Sequence, residues 1–222
     1  MKVGCFIPVK QISERVKGKN FRQIGGVPLY QAIIKKACLS GCFDLVVVDT
    51  DSVEIAEFAV SCGARHIQRQ PELLDNSANG NDLLVHHFMG FPGFDYYFQL
   101  FATAPLIKKS TIVSAVEQLV NSTTCDSVFT AIRHHGFFWR AGMPISYRPD
   151  LLPRSQDLVS LDEETTGLYG ITAQALNKYR SRIGAKPLVI PVSKLEAVDL
   201  NNDDDFAFAD WLVESKRASM VV

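Results

Sequence analysis

Short, unbroken runs of aliphatic and β-branched residues alternate along this chain with segments of helical spacing, and that alternation leaves few folds open. Residues 3–9 (VGCFIPV) and 45–48 (LVVV) lack a polar alternate, the pattern of strands buried on both faces of a parallel sheet. Between them Leu29, Ala32, Ile33 and Ala37 recur at the spacing of a helix with one buried stripe over 28–40. Strand, loop, helix, strand makes a βαβ unit. The same reasoning predicts helices over 52–62, 83–88 and 203–216, and one capped by Ser110 that runs to residue 120. Further strands are expected at 64–67, 96–101, 127–132, 168–172 and 188–191. The implied fold is α/β, with a mainly parallel sheet and helices on both faces. Residues 133–160, rich in Pro, Arg and aromatic side chains, break the rhythm and read as an inserted arm or lid.

With 222 residues, 47% of them apolar and 21% charged, the chain fits one domain over 1–222 with a sizeable core. Lys plus Arg (23) almost balance Asp plus Glu (24), so no global field favours nucleic acid or a lipid surface, and any basic function has to be local. The first apolar run is too short for a membrane span and has no cleavage-site pattern behind it. The five cysteines (Cys5, Cys38, Cys42, Cys62, Cys125) are odd in number and include no C-x-x-C pair, which argues against a disulfide framework or structural zinc and for a reduced, cytoplasmic setting.

One such local feature follows the first strand. Residues 10–20 carry Lys10, Arg15, Lys17 and Lys19 together with Ser13, Gly18 and Asn20, at the carboxyl end of a parallel strand, where doubly wound sheets bind ligands. A triphosphate needs converging cations and backbone N–H donors, and a glycine lets the backbone come close. Neither G-x-G-x-x-G nor G-x-x-x-x-G-K-[ST] occurs around Gly18-Lys19, which excludes the dinucleotide and P-loop fingerprints. A solvated basic loop is the competing reading.

The segments IPVK, SERVKGKNF and GGVPL, then VVVDTDSVEIAEFAVSCGA, RQPELL, ATAPL and VDLNNDDDF, resemble in order the acylneuraminate cytidylyltransferases and their relatives acting on octulosonates and other nonulosonates. The resemblance spans nearly the whole chain. It implies a three-layer α/β/α nucleotidyltransferase-like fold, and an enzyme that joins CTP to the anomeric hydroxyl of an acidic 2-keto-3-deoxy sugar, releasing pyrophosphate with Mg²⁺ assistance. It implies nucleotide contacts from Lys10, Lys19, Asn20, Arg69, Asn79 and Gly80, with Lys10, Arg15, Lys19 and Asp199 serving the chemistry. Thr103, Arg154 and Gln156 would meet the sugar, and the arm would cross a homodimer to close the partner's site.

Several positions depart from the family pattern. Glu14-Arg15 replaces S-K-G spacing, Phe101 and Ala104 replace polar residues around Thr103, and Asn201 replaces the second carboxylate of D-x-D. Mg²⁺ usually takes one or two carboxylates plus substrate phosphates. Asp199 and Asn201 share one side of an extended segment, which makes Asp199 the main expected ligand and Asp203 a second candidate. The carboxylates at 203–205 also suit a helix N-terminus. Gln99, on the alternate side of its strand from Leu100, is a candidate replacement for the lost polar contact. An ion pair with Glu72 is the competing reading of Arg69. Two other functions stay open at this level: transfer to a sugar phosphate acceptor, and nucleotide binding without turnover.

Overall fold

The computed structural model describes residues 1–13, 16–75 and 77–220. The strands are β1 (Val3–Pro8), β2 (Gln23–Ile24), β3 (Val27–Pro28), β4 (Leu45–Thr50), β5 (Arg65–Gln68), β6 (Tyr96–Leu100), β7 (Ser127–His134), β8 (Trp139–Arg140), β9 (Met143–Pro144), β10 (Leu161–Thr172) and β11 (Pro187–Val192). The helices are α1 (Leu29–Ser40), α2 (Val53–Ser61), α3 (Gly80–Gly90), α4 (Lys109–Val120), α5 (Ala173–Tyr179) and α6 (Asp203–Glu214). Seven strands form one sheet in the order β11-β7-β10-β6-β1-β4-β5. β10 alone runs antiparallel to its neighbours, and every other pairing in that sheet is parallel.

Strand alternation divides the core between the two faces. Cys5, Ile7, Val46, Val48, Phe98 and Leu100 pack with α1, α2, α4 and α6 on one side. Phe6, Val47 and Tyr97 point the other way, onto Leu84 of α3 and Leu176 of α5. The expected three-layer α/β/α arrangement is what forms, because β1, β4 and β6 carry apolar residues at successive positions and can bury both of their faces.

Several boundaries differ from the sequence reading. Ser110 does not cap α4: Lys108 stands at the cap and Ser110 lies within the first turn. α3 begins at Gly80, earlier than the apolar spacing alone implied, because Asn79 caps it and Asp82 reaches back to the Asn79 N–H. α5 has no amphipathic stretch long enough to announce it, yet Thr172 caps it from the end of β10. β10 extends back to Leu161, so the segment expected as an arm lies between two strands that pair with each other. Within it β8 and β9 form a small hairpin.

Gly170 shows how tightly the antiparallel strand is fitted. It sits opposite Phe98, and a Cβ added there would lie 2.3 Å from the Phe98 ring. Gly170→Ala is therefore expected to cost at least ~1–3 kcal/mol, the usual range for overpacking, read as a lower urea midpoint at unchanged slope. An unchanged midpoint would mean that the ring can move aside.

Candidate active site

The loops leaving the carboxyl ends of β1, β5 and β6 surround a cavity of about 530 Å³, a size within the roughly 300–1,000 Å³ range of small-molecule sites. Lys10, Lys19, Asn20, Arg69, Asn79, Gly80 and Thr103 all line it. These residues come from four separate stretches of chain, and the parallel sheet brings them to one end.

The first loop turns inward through Gly18, whose φ of 64° and ψ of 22° place it in the left-handed region that glycine adopts without penalty. The turn opens a single-turn helix, Lys19–Phe21, and buries Lys19 and Asn20. Asn20 Nδ2 donates to the Lys10 carbonyl at 2.7 Å, which ties the far end of the loop back to its start. Lys17 remains exposed. Arg15 lies outside the described residues.

Arg69 is buried, and it turns to Asp49 rather than Glu72. Its Nε donates to Asp49 Oδ1 at 3.1 Å and its Nη2 to the Asp49 carbonyl at 3.0 Å. His87, from α3, lies with Nε2 2.8 Å from Asp49 Oδ2 and stacks on Phe6 with ring centroids 4.9 Å apart. Burial would raise the Asp49 carboxyl, but the His87 hydrogen bond and the Arg69 guanidinium together outweigh it and hold it below the ordinary carboxylate value. Burial likewise lowers His87, against the opposing pull of Asp49. A neutral His87 therefore donates from Nε2, and its buried Nδ1 has no partner among the described residues. The result is an arginine on the cavity wall whose direction is fixed from behind by a buried acid and imidazole.

The other end of the cavity is walled by Phe101, Ala102 and Thr103. Thr103 is anchored by the Leu200 N–H, which donates to its carbonyl at 2.9 Å, so the 199–201 segment lies against this loop. Asn201 Nδ2 donates to Asp199 Oδ2 at 2.7 Å, while Asp199 Oδ1 is buried with no hydrogen-bond partner among the described residues. A hard cation suits such an oxygen. No group of three or more His, Cys, Asp or Glu side chains able to hold a metal occurs among the described residues. Neither Asp199 nor Asn201 is among the residues that line the cavity, and a Mg²⁺ at Asp199 would have one carboxylate and depend on phosphate oxygens rather than on a closed protein cage.

Beside this end lies a cluster that sequence reasoning missed. The Arg182 guanidinium stacks 3.7 Å from the Tyr169 ring centre, and its Nη2 reaches Glu164 Oε1 at 3.3 Å. The Tyr169 hydroxyl lies 2.5 Å from the same Glu164 oxygen. Burial and that carboxylate push the phenol well up, so it stays protonated as a donor. A Cβ on Gly80 would fall 2.6 Å from Arg182 Nη1, so the absence of a side chain at residue 80 makes room for the guanidinium next to Gly80, although Arg182 is not itself among the residues lining the cavity. Gln99 is buried and is not among the cavity's lining residues; its Nε2 donates to the Gly80 carbonyl at 3.1 Å, while its Oε1 has no hydrogen-bond partner among the described residues.

Arg154 and Gln156 are exposed and do not line the cavity of this single chain; Arg154 pairs with Asp157 at 2.7 Å. His134 reaches Glu163 at 2.7 Å. The 203–205 carboxylates stand in the first turn of α6, capped by Asn202. Asp203 also pairs with Arg22.

Residues 5–138 match the family model described as cytidylyltransferase. The chain is 28% identical over 219 residues to N-acylneuraminate cytidylyltransferase A of Danio rerio, covering 95% of this chain and 50% of that one. It is also 28% identical to the CMP-N,N'-diacetyllegionaminic acid synthase of Legionella pneumophila, over 100% of both chains. The solved structure of a CMP:2-keto-3-deoxy-manno-octonic acid synthetase complexed with CTP superposes with a TM-score of 0.71 at 16% identity, covering 97% of this chain and 100% of that one, a likeness of fold. The chain thus spans about half the length of some curated relatives, such as the Danio rerio protein, and the whole of others. With more than half of its residues matched by the family model and a nucleotide-sized cavity at the carboxyl end of its parallel strands, the chain belongs to the cytidylyltransferase family.

Proposed function

We propose that this chain transfers CMP from CTP to the hydroxyl of an acidic 2-keto-3-deoxy sugar of the nonulosonate or octulosonate class. The observation that carries the reading is the convergence of Lys10, Lys19, Asn20, Arg69 and Thr103 on one cavity. The acceptor hydroxyl oxygen attacks the α-phosphorus and releases its proton to solvent, the bond from that phosphorus to the bridging oxygen breaks, and pyrophosphate leaves with the electron pair. Lys10 and Lys19 neutralise the charge that builds on the phosphate oxygens, and because Lys19 is already buried and oriented, little reorganisation is needed. Arg69, locked by Asp49, meets the base or ribose side. Asp199 would hold Mg²⁺, whose contribution is charge neutralisation at the phosphates.

On the acceptor side, a guanidinium held flat on an aromatic ring presents a fork suited to a carboxylate. Arg182 occupies that position from within the same chain, next to Phe101 at 5.9 Å. Arg182→Ala is expected to raise KM for the acidic sugar by ~10-fold or more and to leave CTP binding within about threefold, since a charged hydrogen bond is worth ~1.5–3 kcal/mol. Equal losses for both substrates would remove Arg182 from the acceptor side.

The reading itself is tested by pyrophosphate release from each nucleoside triphosphate with Mg²⁺ and a panel of sugar acids and sugar phosphates. Release with CTP and a nonulosonic or octulosonic acid is the expected result. Release with a sugar phosphate, or CTP binding without release under any condition, would overturn it.

The segment 133–160 supports a second part of the reading. Trp139, Met143, Leu151 and Leu152 are exposed there, and we read them as the contact by which two copies of the chain form a homodimer, with Arg154 and Gln156 offered to the partner's acceptor. Light scattering showing a monomer at micromolar concentration would contradict this. All five cysteines are free, which suits a reducing, cytoplasmic compartment. No helix among the described residues is long and apolar enough to cross a membrane.

A further inference from the structure

A second cavity, of about 570 Å³, opens between the start of α4 and the stretch that follows α6. Lys36, Lys108, Lys109, Lys216 and Arg217 line it, and Glu196 is the one carboxylate among its lining residues. Glu196 is already engaged: it accepts from the Lys108 N–H at 3.0 Å and faces Lys108 Nζ at 3.5 Å. With Lys108 paired to Glu196 and Lys36 bonded to backbone carbonyls, Lys109, Lys216 and Arg217 are the exposed cations lining this cavity, in a chain whose formal net charge is −1.

Two of the lining cations are placed at a cost. Lys36 is 2% exposed, and burial pushes its ammonium down to about 8 against the opposing pull of Glu196. Its Nζ donates to the carbonyls of Pro105 at 2.6 Å and Ser219 at 3.2 Å, bridging the 101–108 loop to the end of the described chain. Lys216 turns the chain out of α6 with a φ of 59°, in the left-handed region where glycine is the usual residue. Keeping a lysine there is unfavourable for the backbone, and strain of this kind tends to collect where a side chain has a task. The same cavity takes in the first turn of α4, where the cap residue Lys108 makes no side-chain cap and its own N–H is the one that donates to Glu196.

We propose that this cavity is a binding site for a small phosphate-bearing anion, separate from the nucleotide cavity. The two share a wall: the 101–108 loop gives Thr103 to the first and Leu106 and Lys108 to the second.

The probe is inorganic pyrophosphate, titrated calorimetrically into the full chain with and without saturating CTP. Pyrophosphate also suits the nucleotide cavity, so the site of interest is the one that CTP does not displace. The comparison is K109A/K216G, in which both replaced residues are exposed and glycine relieves the left-handed turn, so folding is not at risk. The expected result is a CTP-insensitive pyrophosphate site that weakens by about tenfold or more in K109A/K216G, while CTP affinity is unchanged. Displacement of all pyrophosphate by CTP, or a CTP-insensitive site of equal affinity in the double variant, would overturn the proposal.

Discussion

Lys19→Ala is expected to lower kcat/KM for CTP by ~10²–10³-fold, the loss typical of removing one preorganised group that stabilises transition-state charge. Lys19 is buried on the wall of the nucleotide cavity, whereas Lys17, two residues earlier in the same loop, faces solvent. Lys17→Ala should therefore change the rate by about threefold or less, through the general field alone. Initial rates of pyrophosphate release, with circular dichroism to confirm folding, check both. If the two variants lose activity equally, the loop acts as a diffuse positive patch rather than a built phosphate cradle.

The second large effect is on stability. Asp49→Ala should cost ~3–5 kcal/mol, because it leaves the Arg69 guanidinium buried without its counter-charge and His87 without its acceptor. For a chain of this size that is a fall in melting temperature on the order of 10 °C. The same network gives stability a definite pH profile. His87 is held below its ordinary value in the folded chain, so the unfolded chain takes up that proton first, and stability is lost as pH falls below about 6.5. Asp49 is also held below its ordinary value, so its contribution is present above about pH 3.9 and is lost as pH falls further. His87→Gln keeps a donor for Asp49 without a titrating group. It should flatten the stability curve just below about pH 6.5 and leave the Asp49 step below about pH 3.9 in place. A curve of unchanged slope in that window would place the acid sensitivity elsewhere.

Asp49 also marks where sequence reasoning stops. The strand LVVVDT is legible because its apolar run has one meaning, and the first loop because four cations beside a glycine are unusual. Asp49, however, reads as the ordinary polar end of a strand, and His87 as one of several histidines. The contacts of Asp49 with Arg69 and with His87 span 20 and 38 residues of sequence, and the second depends on α3 packing against β1 and β4, which no local period encodes. Arg182 and Tyr169 are hidden for a related reason. They meet across the turn from β10 through α5, and α5 is too short to leave an amphipathic signature. Asn79 was legible as a polar residue near the nucleotide; its capping of α3 follows from the Asn79–Asp82 spacing, a signal present in the sequence.

The two rims of the sheet carry a consequence for assembly. β11 is outermost on one side, and Pro187 and Pro191, four residues apart and so in phase, remove two N–H donors from the same side of that strand. β5, outermost on the other side, is four residues long and begins with exposed Arg65. A neighbouring strand would find neither rim a continuous hydrogen-bonding template, which protects the molecule against runaway strand addition at high concentration. Self-association of this chain is thereby confined to side-chain surfaces, where its stoichiometry can close.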